Sequence, residues 1–324
     1  MARNYGLGAR DMARAGRYGL QSAARRGKLS YQSAATIGER WSLFSAWARD
    51  RDVRKMEHVT RDIVMAYGQE MADAVRTGTL APATAQNRLS ALNSVMTLAT
   101  QGRWTRVSPV RDTGIPRRSG VRTQAPTGLD RNAVSRATHG LSPRAAVVVD
   151  LCRSLGLRAK EASLIDARAA LAQGRATGRI AITTGTKGGR ARELPVDTQQ
   201  LQILERAAEV QGSARSLVPS EDTWKTWREG ELRQARETLQ SHGVARLHDL
   251  RASYACDRYR MLTGCPAPVI IERYVIENRL SSQWELSELR ASRNDDLEAR
   301  KQIAAELGHG RVAITTAYLG GIAR

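Results

Sequence analysis

The chain has 324 residues, with 51 Lys and Arg against 32 Asp and Glu, for a formal charge of +19. That length allows two domains with buried cores. The charge excess, carried mostly by arginine, points to a polyanion, with nucleic acid ahead of an anionic membrane surface. Three cysteines (Cys152, Cys256, Cys265) fit neither a metal-ligand spacing nor an even disulfide framework, which suits a reducing cytoplasm. No apolar run reaches membrane-spanning length, the basic start lacks a secretory apolar core, and no strongly aromatic basic helix suggests a membrane-surface anchor. The expected setting is a cytoplasmic, nucleoid-associated protein.

Residues 1–28 hold seven basic side chains, one acid (Asp11) and five glycines, and read as a mobile basic arm that ends near residue 35. Residues 36–102 read as an all-helical domain. Thr36 is a candidate cap for a helix with Ile37, Trp41, Phe44 and Trp47 on one face. Val59-Thr60 opens a second helix, with Val64, Tyr67 and Met71 inward. Pro82 and Thr84 start a third, carrying Leu89, Leu92, Val95 and Met96, and Gly102 stops it. Gln86, Asn87 and Arg88, on the polar face of the third helix, are candidates for a DNA groove. Residues 103–127 interleave six arginines, Arg117 and Arg118 among them, with Pro109, Pro116 and Pro126. This is the composition of an extended basic linker whose arginines suit DNA phosphate.

Helical pattern returns at residue 130. The run AAVVVDLCRSL (145–155) reads as buried and ends at Gly156, followed by Arg158 and, one helical turn on, Glu161. RIAITT and RARELPV flank a glycine-rich turn that carries Lys187, a hairpin signal. Residues 198–241 are helical and polar. His248 and Arg251, three apart, share a helix face. Residues 262–300 carry five basic and seven acidic side chains, a net of −2 in a chain of +19. A short helix then leads to Leu307-Gly308-His309, and Tyr318 lies nine residues beyond His309.

Gly-Leu-Arg-x-x-Glu at 156–161, a lysine in a hairpin turn at 187, His-x-x-Arg at 248–251, Leu-Gly-His at 307–309 and the tyrosine at 318 resemble, in this order, the tyrosine recombinase (phage-type integrase) family. The resemblance spans most of the chain. It implies a mainly α fold with a small β-hairpin and two domains: a helical core-binding domain at 36–102 and a mixed α/β catalytic domain at 128–324. The implied activity is site-specific DNA recombination. Strands are cut and rejoined through a 3′-phosphotyrosyl link and exchanged through a Holliday junction, without metal or cofactor. By the same resemblance, Arg158 and Arg251 hold the scissile phosphate, Lys187 protonates the leaving 5′ oxygen, His248 and His309 complete the site, Tyr318 is the nucleophile and Glu161 supports. The partners implied are duplex DNA, further copies of the chain in a tetramer on two sites, and DNA-bending accessory proteins. One departure stands out. The family keeps the interval from the second arginine to the second histidine much shorter than the 58 residues here, so 262–300 reads as an insertion.

The residue types suit that chemistry. Two arginines can neutralise an anionic phosphodiester with paired donors and favour the charge that builds in the transition state. A phenol ionises more readily than an aliphatic hydroxyl, and a lysine can protonate the leaving oxygen. Similar chemistry in a type IB topoisomerase-like enzyme relaxes DNA instead of exchanging strands. A catalytically inactive DNA-binding relative is the remaining alternative, and the complete residue set speaks against it.

Overall fold

A computed structural model describes residues 3–278 and 288–321, in two compact units, Met1–Ser119 and Gly120–Arg324.

The first unit is built from α1 (Met12–Arg25), α2 (Tyr31–Arg49), α3 (Arg61–Arg76) and α4 (Pro82–Ala99). Side-chain oxygens accept the orphan amides at three helix starts: Asp11 from Arg14, Ser30 from Ser33 and Thr60 from Ile63. At the fourth, Pro82 occupies a position where no intrahelical amide is lost. The core gathers Trp41, Phe44, Met56, Leu89, Leu92 and Met96, all buried. Phe44 meets Tyr67 edge-on, with ring centroids 5.2 Å apart.

Three expectations change here. Residues 12–25, read as part of a mobile arm, form α1. Met12, Ala15, Leu20 and Ala23 are buried in its contact with the rest of the unit, and the Trp41 indole donates to the Met12 carbonyl at 3.0 Å. The glycines and arginines concealed that stripe. Ser30, not Thr36, caps α2, which begins five residues before Thr36. The segment 103–127, read as one linker, divides. Residues up to 119 fold back on the helices through buried Val107 and Ile115, and Asn93 accepts from the Val107 amide and the Trp104 indole. Residues from 120 onward belong to the second unit.

The second unit holds α5 (Arg131–His139), α6 (Pro143–Ser154), α7 (Ala159–Leu164), α8 (Ala167–Thr177), β1 (Arg179–Ile182), β2 (Arg192–Pro195), α9 (Thr198–Gln211), α10 (Trp224–Glu229), α11 (Glu231–Ser241), α12 (Leu247–Thr263), α13 (Ile271–Asn278), α14 (Arg293–Glu306) and α15 (Thr316–Leu319). β1 and β2 form a two-stranded antiparallel sheet in which Ile180 faces Leu194 and Ile182 faces Arg192. One core packs α6, α8, α9, α11 and the hairpin around Val148, Leu151, Leu204 and Trp227. A second packs α12, α14 and α15 around Ala255, Tyr259, Ile303 and Leu319. α12 contributes to both and is buried on nearly every side.

The reading of 262–300 as an insertion is too long. Residues 293–300 are the first half of α14. There Arg300 pairs with Asp296 at 2.9 Å with both side chains buried, Tyr259 donates to Asp296, and Arg300 donates to the Gly320 and Gly321 carbonyls. Such a pair cannot be surface decoration, because unpaired buried charge is costly. Residues 262–263 likewise end α12, and Ala267 and Leu289 are buried; between them lie a 3-10 turn and α13, a helix with no buried residue. Residues 279–287 lie outside the described part.

Candidate active site

Tight local geometry brings Arg158 to the start of α7. Arg158 is the residue before the helix. Glu161 sits at the third helical position and reaches back to accept the Arg158 amide at 2.8 Å. The same carboxylate accepts from the Arg158 guanidinium at 2.6 Å. Glu161 is fully buried, and the pair is therefore no exposed i,i+3 contact. A third partner closes it: Arg192, on β2, donates to both Glu161 oxygens at 3.0 and 2.7 Å. Arg251 stands 3.8 Å from the same carboxylate. Burial works to raise the Glu161 pKa, but Arg192, the Arg158 amide and the Arg158 charge more than offset it and hold the carboxyl below its ordinary value.

Arg251 lies on α12 and is wholly buried. It donates to the carbonyls of Gly156 and Leu307, while its Nε finds no partner among the described residues. The approach depends on Gly156, whose φ is +61° and where a Cβ would stand 2.4 Å from the Tyr254 ring. The Leu307 carbonyl also takes a long 3.5 Å contact from Arg158, and the Glu306 carbonyl accepts from Arg192 at 2.7 Å. The C-terminal end of α14, where helix carbonyls are unpaired and the dipole is negative, is thus ringed by three arginines. Tyr254, Arg258 and Gln302 fix the Glu306 side chain from the other direction.

His309 follows this helix end, and its Nε2 lies 3.2 Å from the Tyr318 oxygen. The rings of His248 and His309 are each 5.4 Å from that of Tyr318, centroid to centroid. The Arg251 guanidinium carbon is 5.8 Å from the tyrosine ring centre. Tyr318 is buried on α15, which the 120–127 segment straps down: the Arg122 amide donates to the Thr316 carbonyl, and Arg122 pairs with Asp249 of α12. Burial, then the charges of Arg251 and Arg158, lowers the His309 pKa to about 4. His248 is lowered too, by burial first and Arg251 second. Both rings are neutral near pH 7. With its proton on Nδ1, His309 can accept the phenolic hydrogen at Nε2.

Five of the six sequence-predicted catalytic residues, and Glu161 with them, therefore meet around the end of α14. The sixth, Lys187, stands exposed at the hairpin tip and makes no hydrogen bond or ion pair among the described residues. Gln86, Asn87 and Arg88 are half-buried on α4 in the first unit, where Gln86 donates to the Pro116 carbonyl at 2.7 Å. Arg117 and Arg118 are exposed. Arg192 was missed. Strand alternation was the available signal: Leu194 points into the core, so Arg192, two residues earlier, must point the same way. Among the described residues no group of three His, Cys, Asp or Glu side chains could hold a metal ion, and no helix is long and apolar enough to cross a membrane.

Residues 120–257 match the family model described as Integrase. No sequence among the curated proteins matches the chain. Among solved structures, the integrase of transposon Tn1549, in complex with circular intermediate DNA, is similar over 95% of this chain and 96% of that one, at 12% identity and a TM-score of 0.55. Lambda integrase, as a dimer bound to a core site, is similar over 93% and 75%, at 13% identity and a TM-score of 0.52. The XerH site-specific recombinase, in a post-cleavage complex, is similar over 95% and 81%, at 12% identity and a TM-score of 0.52. At these identities the likeness shows a shared fold.

Proposed function

We propose that this chain, a member of the tyrosine recombinase (integrase) family and a DNA strand transferase, is a site-specific recombinase that cuts and rejoins DNA through Tyr318. The observation that carries the reading is the 3.2 Å approach of the neutral His309 ring to the Tyr318 oxygen, beside the buried guanidinium of Arg251. In the first step His309 takes the phenolic proton as the Tyr318 oxygen attacks phosphorus. Arg158 and Arg251 hold the non-bridging oxygens, and their charge offsets what builds in the transition state. The bond from phosphorus to the 5′ oxygen breaks. Its electron pair stays on that oxygen, which takes a proton from Lys187. The product is a 3′-phosphotyrosyl link and a free 5′ hydroxyl. Attack on that link by a 5′ hydroxyl from a second duplex reverses the step and exchanges strands, and two rounds pass through a Holliday junction.

Arg251 and Tyr318 are both buried, so the reading includes a shift of the short α15 helix when a phosphate enters. The exposed Arg117 and Arg118, and the α4 residues Gln86, Asn87 and Arg88, would contact the duplex. Assembly of four copies on two sites, with accessory bending proteins, completes the proposed complex.

The test is covalent trapping. Nicked duplexes tiled across the DNA flanking the protein's own gene are incubated with wild type and Tyr318→Phe in EDTA, then run on a denaturing gel with peptide mapping. Wild type should form an adduct on the peptide that holds Tyr318, and Tyr318→Phe should bind DNA equally but form none. An adduct in the mutant would place the nucleophile elsewhere. Relaxation of supercoiled DNA without site preference, and with no joint product from two sites, would favour a topoisomerase-like enzyme instead.

A further inference from the structure

Lys187 poses a geometric problem that the proposed reaction leaves open. The tip that carries it, residues 186–190, is exposed or nearly so, and Lys187 itself has no partner among the described residues. A proton donor must nevertheless be held within hydrogen-bond reach of one particular oxygen. Apart from Arg190, whose guanidinium lies against Gly310, nothing supports the tip among the described residues, and the base of the hairpin must do the positioning. Three contacts seat that base on α7. The Thr184 hydroxyl donates to the Leu164 carbonyl at 2.9 Å. Gly185, with a φ of +69°, lies so close to α7 that a Cβ there would stand 2.8 Å from the Lys160 carbonyl oxygen. Arg192, on the returning strand, binds Glu161 through two donors and the Glu306 carbonyl through the third.

Arg192 is the charged member of this seat and joins three pieces of the site. These are the strand five residues beyond Lys187, the carboxylate that also holds Arg158, and the helix end that leads to His309. Its side chain is 5% exposed, and each of its three nitrogens already donates inside the protein, so it is turned toward Glu161 and the α14 end rather than toward solvent. A bidentate guanidinium–carboxylate pair fixes direction as well as distance.

We propose that Arg192 is a positioning residue that sets the hairpin, and through it the Lys187 ammonium, against the leaving oxygen. This rests on the reading of Lys187 as the proton donor in the cleavage step. Arg192 touches neither phosphate nor nucleophile. Its removal takes away the proton delivered to the 5′ oxygen and spares attack by Tyr318.

A leaving group that needs no proton separates that role from a merely structural one. In a duplex whose bridging 5′ oxygen is replaced by sulfur at the mapped cleavage position, the thiolate departs unprotonated. Adduct formation is timed on this duplex and on ordinary DNA for wild type, Lys187→Ala, Arg192→Lys, Arg192→Gln and Lys187→Ala/Arg192→Gln, below the melting temperature of each. Arg192→Gln should lose about a hundredfold on ordinary DNA, the scale of a lost general acid, and less than about threefold on the sulfur duplex. Arg192→Lys, which keeps the charge and loses the fork, should fall between. The double variant should be no slower on ordinary DNA than Lys187→Ala alone, since both act on one proton transfer. Equal losses on both duplexes, or additive losses in the double variant, would overturn the proposal. Should the Arg192 variants fail to fold, Thr184→Val and Gly185→Ala disturb the same seat without touching the arginines. They should show the same selective loss, and equal losses there would overturn it as well. Wild type forming no Tyr318 adduct on either duplex would withdraw the recombinase reading itself, a different result from losing the selectivity.

Discussion

Replacing Glu161 by glutamine removes one negative charge and changes almost nothing in shape. Each Glu161 oxygen accepts two donors: Oε1 from the Arg158 and Arg192 guanidinia, Oε2 from Arg192 and the Arg158 amide. Whichever oxygen becomes the amide nitrogen, two donors then face donors. Three arginines, one wholly buried, are left around a neutral side chain. Breaking a buried pair on one side costs about 3–5 kcal/mol, which is the expected loss for the second unit. Urea-dependent hydrogen exchange of α7 and α12 peptides reads that unit separately from the first. Sulfate should stabilise Glu161→Gln more than wild type, because an anion supplies the missing charge. The pH dependence has a definite sign. Glu161 is held below its ordinary 4.5, so its contribution is complete above that value and lost as pH falls through the lower folded value. The gap between wild type and variant should therefore close in acid. A loss under about 1 kcal/mol with no difference in sulfate response would show that Glu161 is not the counter-ion of the cluster, and that the arginines are held by the α14 carbonyls alone.

The other expectations are narrower. With His309 lowered to about 4, the acid limb of the cleavage profile should lie well below the ordinary histidine value of 6.5, and His309→Gln should slow adduct formation by about 10²-fold or more; a limb centred at 6.5 would mean that the open, DNA-bound site no longer buries the ring. Gly156→Ala places a Cβ against the Tyr254 ring at a left-handed φ, so strain and overpacking should together cost about 2–4 kcal/mol in urea unfolding, and a neutral substitution would refute the close approach.

The parts of the site that were readable in the sequence are those whose chemistry travels with short spacing. Arg158 and Glu161 sit on one helical turn, His248 and Arg251 on another, and His309 and Tyr318 on one terminal stretch. What joins the pairs is long-range. The Leu307 carbonyl meets Arg251 from 56 residues away in sequence and Arg158 from 149, and Arg192 reaches Glu161 across 31. No local pattern encodes a main-chain carbonyl as an acceptor, because every residue has one. The same limit explains the misplaced insertion. Asp296 and Arg300 look like an exposed i,i+4 pair on a polar helix, and only the fold shows that Tyr259 and the carbonyls of Gly320 and Gly321 bury them. It explains α1 as well, since alanines and glycines at helical spacing carry little hydrophobic signal until Trp41 packs against them. Where a charged residue must be buried, its partners decide whether it is structural or chemical, and those partners come from elsewhere in the chain. Arg192 was therefore the hardest residue of the site to find. One inference from the strand was still available: an arginine on the inward face of a two-stranded sheet needs a buried anion, and Glu161 is the buried carboxylate that holds it.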